Sequence, residues 1–294
     1  MINSGPAVSS SRVHTMTSID RETLSQWYPL AMLEDLTAPV FQTMLLDRLI
    51  NVSRDDMGSF QILCGNRSLP VREQYGYLWT SLGEPVRDIA AIPEADEEDR
   101  RLVCCGSIAV HASGLRVVEN FLDMAHFPFV HTNILGAEPE TEVRRYQIET
   151  RDNGEEIWAT DCTFFQPQAA LSAAGGILTD YIYRVAAPFS TLLYKTCPAA
   201  PGRQDVIALF VQPMTPTRSR AHPVMFLVDE TSPQAGLVEF QQFIFLQDRI
   251  ILENQRPRLM PLDGKYEIPT MADRSSVAYR RWLKGKGVTY GALA

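Results

Sequence analysis

Between Asn120 and His131 the chain places two imidazoles, His126 and His131, and the carboxylate of Asp123 in a run otherwise built of Phe, Leu, Met, Ala, Pro and Val. Polar groups carried into an apolar interior need partners, so any fold this chain adopts has to bring something to meet them. Asn120, Asp123 and His126 recur at i, i+3 and i+6, which predicts that they sit near one face of a helix, and Pro128 forbids that helix from continuing undisturbed. On an unbroken helix His126 and His131 would point well apart. A turn at Pro128 lets both rings converge on one point, and two convergent imidazoles suggest a metal.

A third ligand follows from the same reasoning in the segment 235–255. On a helical wheel, Leu237, Ile244, Ile251 and Leu252 surround Asp248, with Gln241 and Gln255 nearby. An ionised Asp in that largely apolar stripe is costly unless it is paired or bound to a metal. Two His and one carboxylate with open positions left over is the facial triad of non-haem Fe(II) oxygenases. The residues alone leave two readings open: a metal site at His126, His131 and Asp248, or satisfied core histidines beside a capped Asp.

At 294 residues and 45% hydrophobic content the chain can bury one large core or two modest ones. Charges and prolines interrupt every apolar stretch, so no membrane span is expected, and the N-terminus lacks the basic-then-apolar order of a signal peptide. The expectation is a cytoplasmic protein. A net charge of -8 with no basic stripe argues against nucleic acid as a partner. The five cysteines, Cys64, Cys104, Cys105, Cys162 and Cys197, have no disulfide-framework spacing and read as reduced thiols. None stands in Cys-x-His or Cys-x-x-His, so this sequence cannot ligate a Rieske [2Fe-2S] centre, which needs two Cys and two His. His14, His111 and His222 are scattered and read as ordinary surface or strand histidines.

Residues 1–20 are rich in Ser and small residues without periodicity, as in a disordered leader. Strand signals follow at 41–53 and 60–64, separated by a turn at 54–58, and again at 71–82, where Tyr75, Tyr77 and Trp79 alternate onto one face for sheet packing. The acidic, Pro-containing stretch 92–100 reads as a solvated linker. Further strands are expected at 102–112, 143–149, 157–165, 180–187, 190–196, 206–214 and 223–228. Helices are expected at the Asn120 motif, from Pro233 to Gln255, and over 273–283 behind an Asp273 N-cap. This is an α+β pattern, a long antiparallel sheet wrapped on helices with room for a ligand.

The motif Asn120-x-x-Asp123-x-x-His126-x-x-x-x-His131, with Asp248 in the run 247–255, resembles the catalytic domain of Rieske non-haem iron oxygenases. Trp27-Tyr28-Pro29 looks like the family's opening, 75–85 like the exit strand of its Rieske domain, and 273–283 like its terminal helix. Between Leu49 and Val71, where the family carries both halves of its cluster-binding sequence, the cluster loops are missing. In that respect the chain is similar to the Rieske-less oxygenase component of methylxanthine N-demethylase systems of the bacterial caffeine pathway.

The resemblance implies a helix-grip (START/Bet v1-like) catalytic domain over 89–294, preceded by a vestigial Rieske-type β domain over 21–88. It further implies that His126, His131 and Asp248 hold Fe(II), that no [2Fe-2S] cluster is bound, and that Asn120 lines the metal's vicinity. Asp123 would bridge towards a donor cluster and tune a ligating imidazole through a hydrogen bond. Implied partners are a separate Rieske-containing reductase or ferredoxin, O2, and a small aromatic or N-methylated substrate that loses a methyl group as formaldehyde. A homotrimer or a hetero-oligomeric ring is implied as well. Phe127, Phe129, Phe164, Phe165 and Leu178 are candidate pocket walls. Two competing readings are a non-catalytic ligand-binding or scaffolding subunit and a zinc hydrolase, the latter disfavoured by the lack of a His-Glu-x-x-His motif and of an evident general base.

Overall fold

The computed structural model describes residues 19–293 apart from 172 and 174. Most of the expected leader therefore lies outside the described residues, but Asp20 does not behave as leader. Its carboxylate caps the short helix α1 (Arg21–Leu24) by accepting from Thr23 N at 2.7 Å, and also accepts from Thr289 N at 2.8 Å, tying the chain's start to its end.

Seven short strands come first: β1 (Tyr28–Met32), β2 (Val40–Leu45), β3 (Arg48–Arg54), β4 (Phe60–Cys64), β5 (Arg67–Ser68), β6 (Arg72–Gln74) and β7 (Tyr77–Thr80). They form a four-stranded sheet in the order β2-β3-β4-β5 and a three-stranded sheet in the order β1-β7-β6. The run expected as one segment over 41–53 is a two-residue hairpin, because Leu46 and Asp47 both take positive φ, at 50° and 59°. That conformation is costly for residues with a Cβ, and it is held from outside: Leu46 N and Asp47 N each donate, at 2.8 Å, to the carbonyls of Pro213 and Met214.

The strand expected over 71–82 is likewise a hairpin, with Tyr75 (φ 51°) and Gly76 (φ 77°) as its turn rather than Tyr75 in the ladder. Gly76 is required twice over, by its left-handed conformation and because a Cβ there would collide with Cys104 Sγ. Gly76→Ala is therefore expected to destabilise the protein by about 2 kcal/mol or more. A denaturant midpoint unchanged from that of the unsubstituted chain would show that this turn is not constrained.

The larger sheet is antiparallel and eight-stranded. Its strands are β8 (Arg101–Cys104), β9 (Ile108–Val110), β10 (Gln147–Arg151), β11 (Glu156–Gln166), β12 (Ile177–Ala187), β13 (Ser190–Thr196), β14 (Gln204–Thr215) and β15 (Arg218–Leu227). They lie in the order β10-β11-β12-β13-β14-β15-β8, with β9 also paired to β15. The run expected over 102–112 thus divides into β8 and β9, both laid against β15.

Alternation along these strands sends residues to two different environments. Leu192, Tyr194, Val206, Ala208, Phe210, Val224 and Phe226 pack against Tyr77 and Trp79 of β7, so the expected packing of those aromatics is what the sheet shows. Their neighbours Leu193, Lys195, Asp205, Ile207, Leu209, Met225 and Leu227 line a cavity on the other face. Both faces are covered, which is why these strands read as near-continuous apolar runs. The segment 92–100 is exposed at Pro93 and over 96–99, as its composition suggests, but it is anchored at both ends. Ile92 is buried in this second core, and Arg100 turns inward to donate to the carbonyls of Gln204 at 2.6 Å and Phe226 at 3.2 Å.

On the cavity side lie α2 (Gly114–Phe121), the single-turn α3 (Phe127–Val130), α4 (Gln234–Asn254) and α5 (Arg274–Lys286). Ser113 caps α2 by accepting from Leu115 N, and Pro233 opens α4 from its N-cap position. Leu237, Gln241, Ile244, Phe245, Asp248 and Leu252 form the buried stripe of α4. Ile251, expected in that stripe, is instead 48% exposed, because it lies about 60° round the helix from Asp248 and about 20° beyond Ile244, just past the edge of the buried stripe. The expected cap of α5 is displaced too. Asp273 turns back to accept from Thr270 N at 2.6 Å, closing a capping box around the preceding 3-10 turn. Among the described residues, no helix is long and apolar enough to cross a membrane.

Candidate metal centre and cavity

The helix expected to carry Asn120, Asp123 and His126 on one face stops at Phe121, and the cause is Asp123 itself. Its carboxylate accepts from the backbone N–H of Ala125 at 3.0 Å and of His126 at 3.2 Å, a local alternative to the helical ladder. Asn120 remains on α2, while Asp123 and His126 sit in the turn that follows. Pro128 then opens α3 rather than breaking a helix, since the missing N–H of proline costs nothing in a first turn. His126 and His131 flank α3 at its two ends, and that short turn makes their rings converge.

The Nε2 atoms of His126 and His131 are 3.1 Å apart, and Asp248 Oδ1 lies 3.2 Å from the first and 3.0 Å from the second. Three donors held at right angles around a metal, each at about 2.1 Å, are about 3.0 Å from one another. The donor set therefore fits the face of an octahedron. Its protonation fits as well. A carboxylate only accepts, so His126 Nδ1 donates to Asp123 Oδ2 at 2.8 Å, and His131 Nδ1 donates to Gln247 Oε1 at 2.8 Å. Both imidazoles are thereby left with the Nε2 lone pair facing the centre. Lone pairs 3.1 Å apart repel unless a cation or a proton stands between them.

The electrostatics favour positive charge at that point, whether a proton or a metal carries it. Burial alone would depress His126, but its hydrogen bonds to Asp123 and Asp248 outweigh burial and raise it to about 9. Burial likewise pushes Asp248 up, and the two imidazoles overcome it to hold the carboxyl at about 2. Asp123 is held below its ordinary value, against burial, by the hydrogen bond to His126 and by the two backbone N–H groups. The pocket of carboxylates thus stabilises positive charge at the place where the three ligand atoms meet.

Gln247 carries no sequence signal: it lies about 100° round the wheel from Asp248, outside the apolar stripe, and is one of several glutamines on α4. Replacing it with Leu would leave His131 Nδ1 without its acceptor. Gln247→Leu is expected to weaken metal affinity roughly ten- to a hundredfold, measured by competition against a chelator. Unchanged affinity would mean that packing alone orients His131.

His126, His131 and Asp248 line a cavity that is partly open to solvent. Phe121, Leu135, Leu193, Ile207, Leu209 and Ile244 give it apolar walls, while Gln166, Tyr181, Tyr183, Lys195 and Gln241 bring polar atoms to it. Of the aromatic walls expected from sequence only Phe127 lines the cavity. Phe164 packs behind it at 5.5 Å, Phe165 alternates onto the other face of β11, and Phe129 and Leu178 are exposed at 65% and 50%. Asn120 lines this cavity and also a second, outer groove, which Asp123 and His126 reach from its inner end. His222 is a buried strand histidine bonded to Ser107 and Gln212, and His111 is exposed.

Residues 110–287 match the family of vanillate O-demethylase oxygenase C-terminal domains. Over 270 residues, 91% of this chain and 96% of the relative, the sequence is 46% identical to the probable methylxanthine N7-demethylase NdmC of Pseudomonas sp. strain TJI-51. The fold is similar to that of NdmA of Pseudomonas putida CBB5 solved with caffeine, with a TM-score of 0.73 and 17% identity over 88% of this chain and 89% of that one. It is similar also to dicamba monooxygenase bound to 3,6-dichlorosalicylic acid, with a TM-score of 0.73 and 16% identity over 90% and 97% of the two chains. A second structure of that enzyme, holding non-haem iron and dicamba, matches with a TM-score of 0.64 and 15% identity over 90% and 96%.

The α+β fold, with its long antiparallel sheet closed over helices, is that of an oxygenase catalytic component, an O2-dependent oxidoreductase by class. The chain belongs to the Rieske oxygenase family, in its vanillate O-demethylase oxygenase branch.

Proposed function

We propose that the chain is the catalytic component of a non-haem Fe(II) N-demethylase acting on methylxanthine-like substrates, with electrons delivered by a Rieske cluster on a separate protein. The observation that carries this reading is the triangle of His126 Nε2, His131 Nε2 and Asp248 Oδ1 in the lining of a mainly apolar cavity. The 46% identity to NdmC supports the substrate class. The lack of any Cys-x-His pair supports an external cluster.

His126, His131 and Asp248 would hold the iron, which would supply O2 activation with two electrons from the external donor, one oxygen atom going into a methyl C–H bond and the other to water. The remaining work belongs to the protein. Asp123 keeps the proton on His126 Nδ1 and Gln247 keeps it on that of His131, so both Nε2 atoms face the metal. The apolar walls exclude water and present the methyl group to the open face of the triad. The resulting N-CH2-OH group breaks at its C–N bond, the nitrogen takes a proton, and formaldehyde is released. Asp123, 24% exposed at the inner end of the outer groove, is the charged group through which a docked donor meets His126.

The test is formaldehyde release from a panel of methylxanthines by iron-loaded protein supplied with a Rieske reductase. Stoichiometric formaldehyde and demethylated product are expected. Uncoupled O2 consumption with every methylxanthine, or equal turnover with a flavin reductase lacking a Rieske centre, would contradict the reading.

A further inference from the structure

The sheet wall of the cavity contains polar groups that the metal site does not use. Tyr181 and Tyr183 are 1% and 2% exposed; among the described residues the Tyr183 hydroxyl has no hydrogen-bond partner, and that of Tyr181 has Thr179 nearby but outside hydrogen-bond geometry. Buried hydroxyls are almost always paired, and leaving one unpaired costs stability. Both tyrosines line the cavity, so a ligand there is what can complete them.

Lys195 stands beside them. It lies directly across the ladder from Tyr181 on one side and Asp205 on the other, so the three form a row over β12, β13 and β14. Its ammonium has three N–H donors. One goes to Gln166 Oε1 at 3.1 Å and one to the carbonyl of Ala169, and no third acceptor stands within hydrogen-bond reach among the described residues. Burial pulls the ammonium down to about 8 while Asp205 acts to raise it, so it is mostly charged at neutral pH. Lys195 and Asp205 together are neutral. A carboxylate ligand would leave an uncompensated buried charge, whereas a neutral carbonyl oxygen would not. The row is also close to the chemistry: the Tyr181 ring packs at 6.2 Å on that of Phe127, the residue after His126.

We propose that Tyr181, Tyr183 and Lys195 form the substrate-recognition wall of this cavity, donating hydrogen bonds to the carbonyl oxygens of a neutral methylated heterocycle and so aiming its methyl group at His126, His131 and Asp248. This rests on the demethylase reading and adds to it the residues that select neutral ring carbonyls over a carboxylate. The wall acts through ligand binding alone, so it can be tested without electron transfer.

The experiment is anaerobic calorimetric titration of the iron-loaded full chain with 7-methylxanthine and with 7-methylpurine, which keeps the rings and the methyl group but has neither carbonyl. The unsubstituted protein is expected to prefer 7-methylxanthine. Tyr181→Phe should weaken 7-methylxanthine about tenfold, and Lys195→Met roughly ten- to a hundredfold, with little effect on 7-methylpurine. In the same proteins without ligand, Tyr181→Phe and Tyr183→Phe should melt at or above the unsubstituted temperature, because each removes an unpaired buried hydroxyl. A merely structural hydroxyl would lower it. Equal binding of the two probes by the unsubstituted protein, or unchanged 7-methylxanthine affinity in the variants, would overturn the proposal while leaving the demethylase reading intact. Tighter binding of vanillate than of 7-methylxanthine would overturn the choice of a neutral ligand, and failure of the unsubstituted chain to bind any methylxanthine would remove the demethylase reading beneath it. Should Lys195→Met not fold, Tyr181→Phe, which deletes one atom, decides alone.

Discussion

Asp248→Ala is expected to abolish iron binding and, with it, all turnover. Asp248 supplies the one anionic donor of the triangle and lies 3.0 and 3.2 Å from the two imidazole Nε2 atoms, so its loss leaves two neutral ligands and an opening where the carboxylate stood. Bound metal contributes several kcal/mol of transition-state stabilisation, so turnover should fall about a thousandfold or more. His126→Ala and His131→Ala should behave alike. The three effects should not add, since each already removes the metal. Iron content and substrate turnover are to be measured on the same preparations. A variant that keeps its iron while losing activity, or the reverse, would show that the side chain in question is not a ligand.

Asp123→Asn should separate the two properties that Asp248→Ala loses together. The amide keeps the shape, and with its oxygen in the place of Oδ2 it can still accept from His126 N and His126 Nδ1, giving up only the bond from Ala125 N to Oδ1, so the turn and the metal triangle should survive. What goes is the negative charge that holds the proton on His126 Nδ1 and the charged link between the outer groove and the imidazole. Turnover is expected to fall roughly ten- to a hundredfold or more with iron content unchanged. Single-turnover and steady-state rates equal to those of the unsubstituted protein would exclude a role for Asp123 in linking donor to iron.

The reading of the site from sequence depended on polar residues standing where only apolar ones are cheap. That cost is independent of tertiary detail, so His126, His131 and Asp248 were legible before any fold was known, and they do meet. The local path was less legible. A spacing of i, i+3, i+6 suggested one helix, but the Asp123 carboxylate captured two backbone N–H groups and ended it. The hairpins at Leu46-Asp47 and Tyr75-Gly76 were hidden for a related reason. Leu46 and Tyr75 are not turn-forming residues, and Leu46 is held in its left-handed conformation by β14, far away in sequence. Tyr181, Tyr183 and Lys195 look like ordinary strand residues until register turns them to the cavity and sets Tyr181 directly across from Lys195, and register is a property of the assembled sheet. Gln247 is distinguishable from the other glutamines of α4 only by the ring it touches.

As a demethylase component of the proposed kind, this chain would hold the catalytic iron and leave the Rieske cluster to another protein. Iron analysis with electron paramagnetic resonance on the anaerobically reconstituted, dithionite-reduced chain tests it most directly. About one iron per chain is expected, bound through two His and one carboxylate, with no reduced [2Fe-2S] signal. A chain that binds no iron, or that carries a [2Fe-2S] signal of its own, would contradict it.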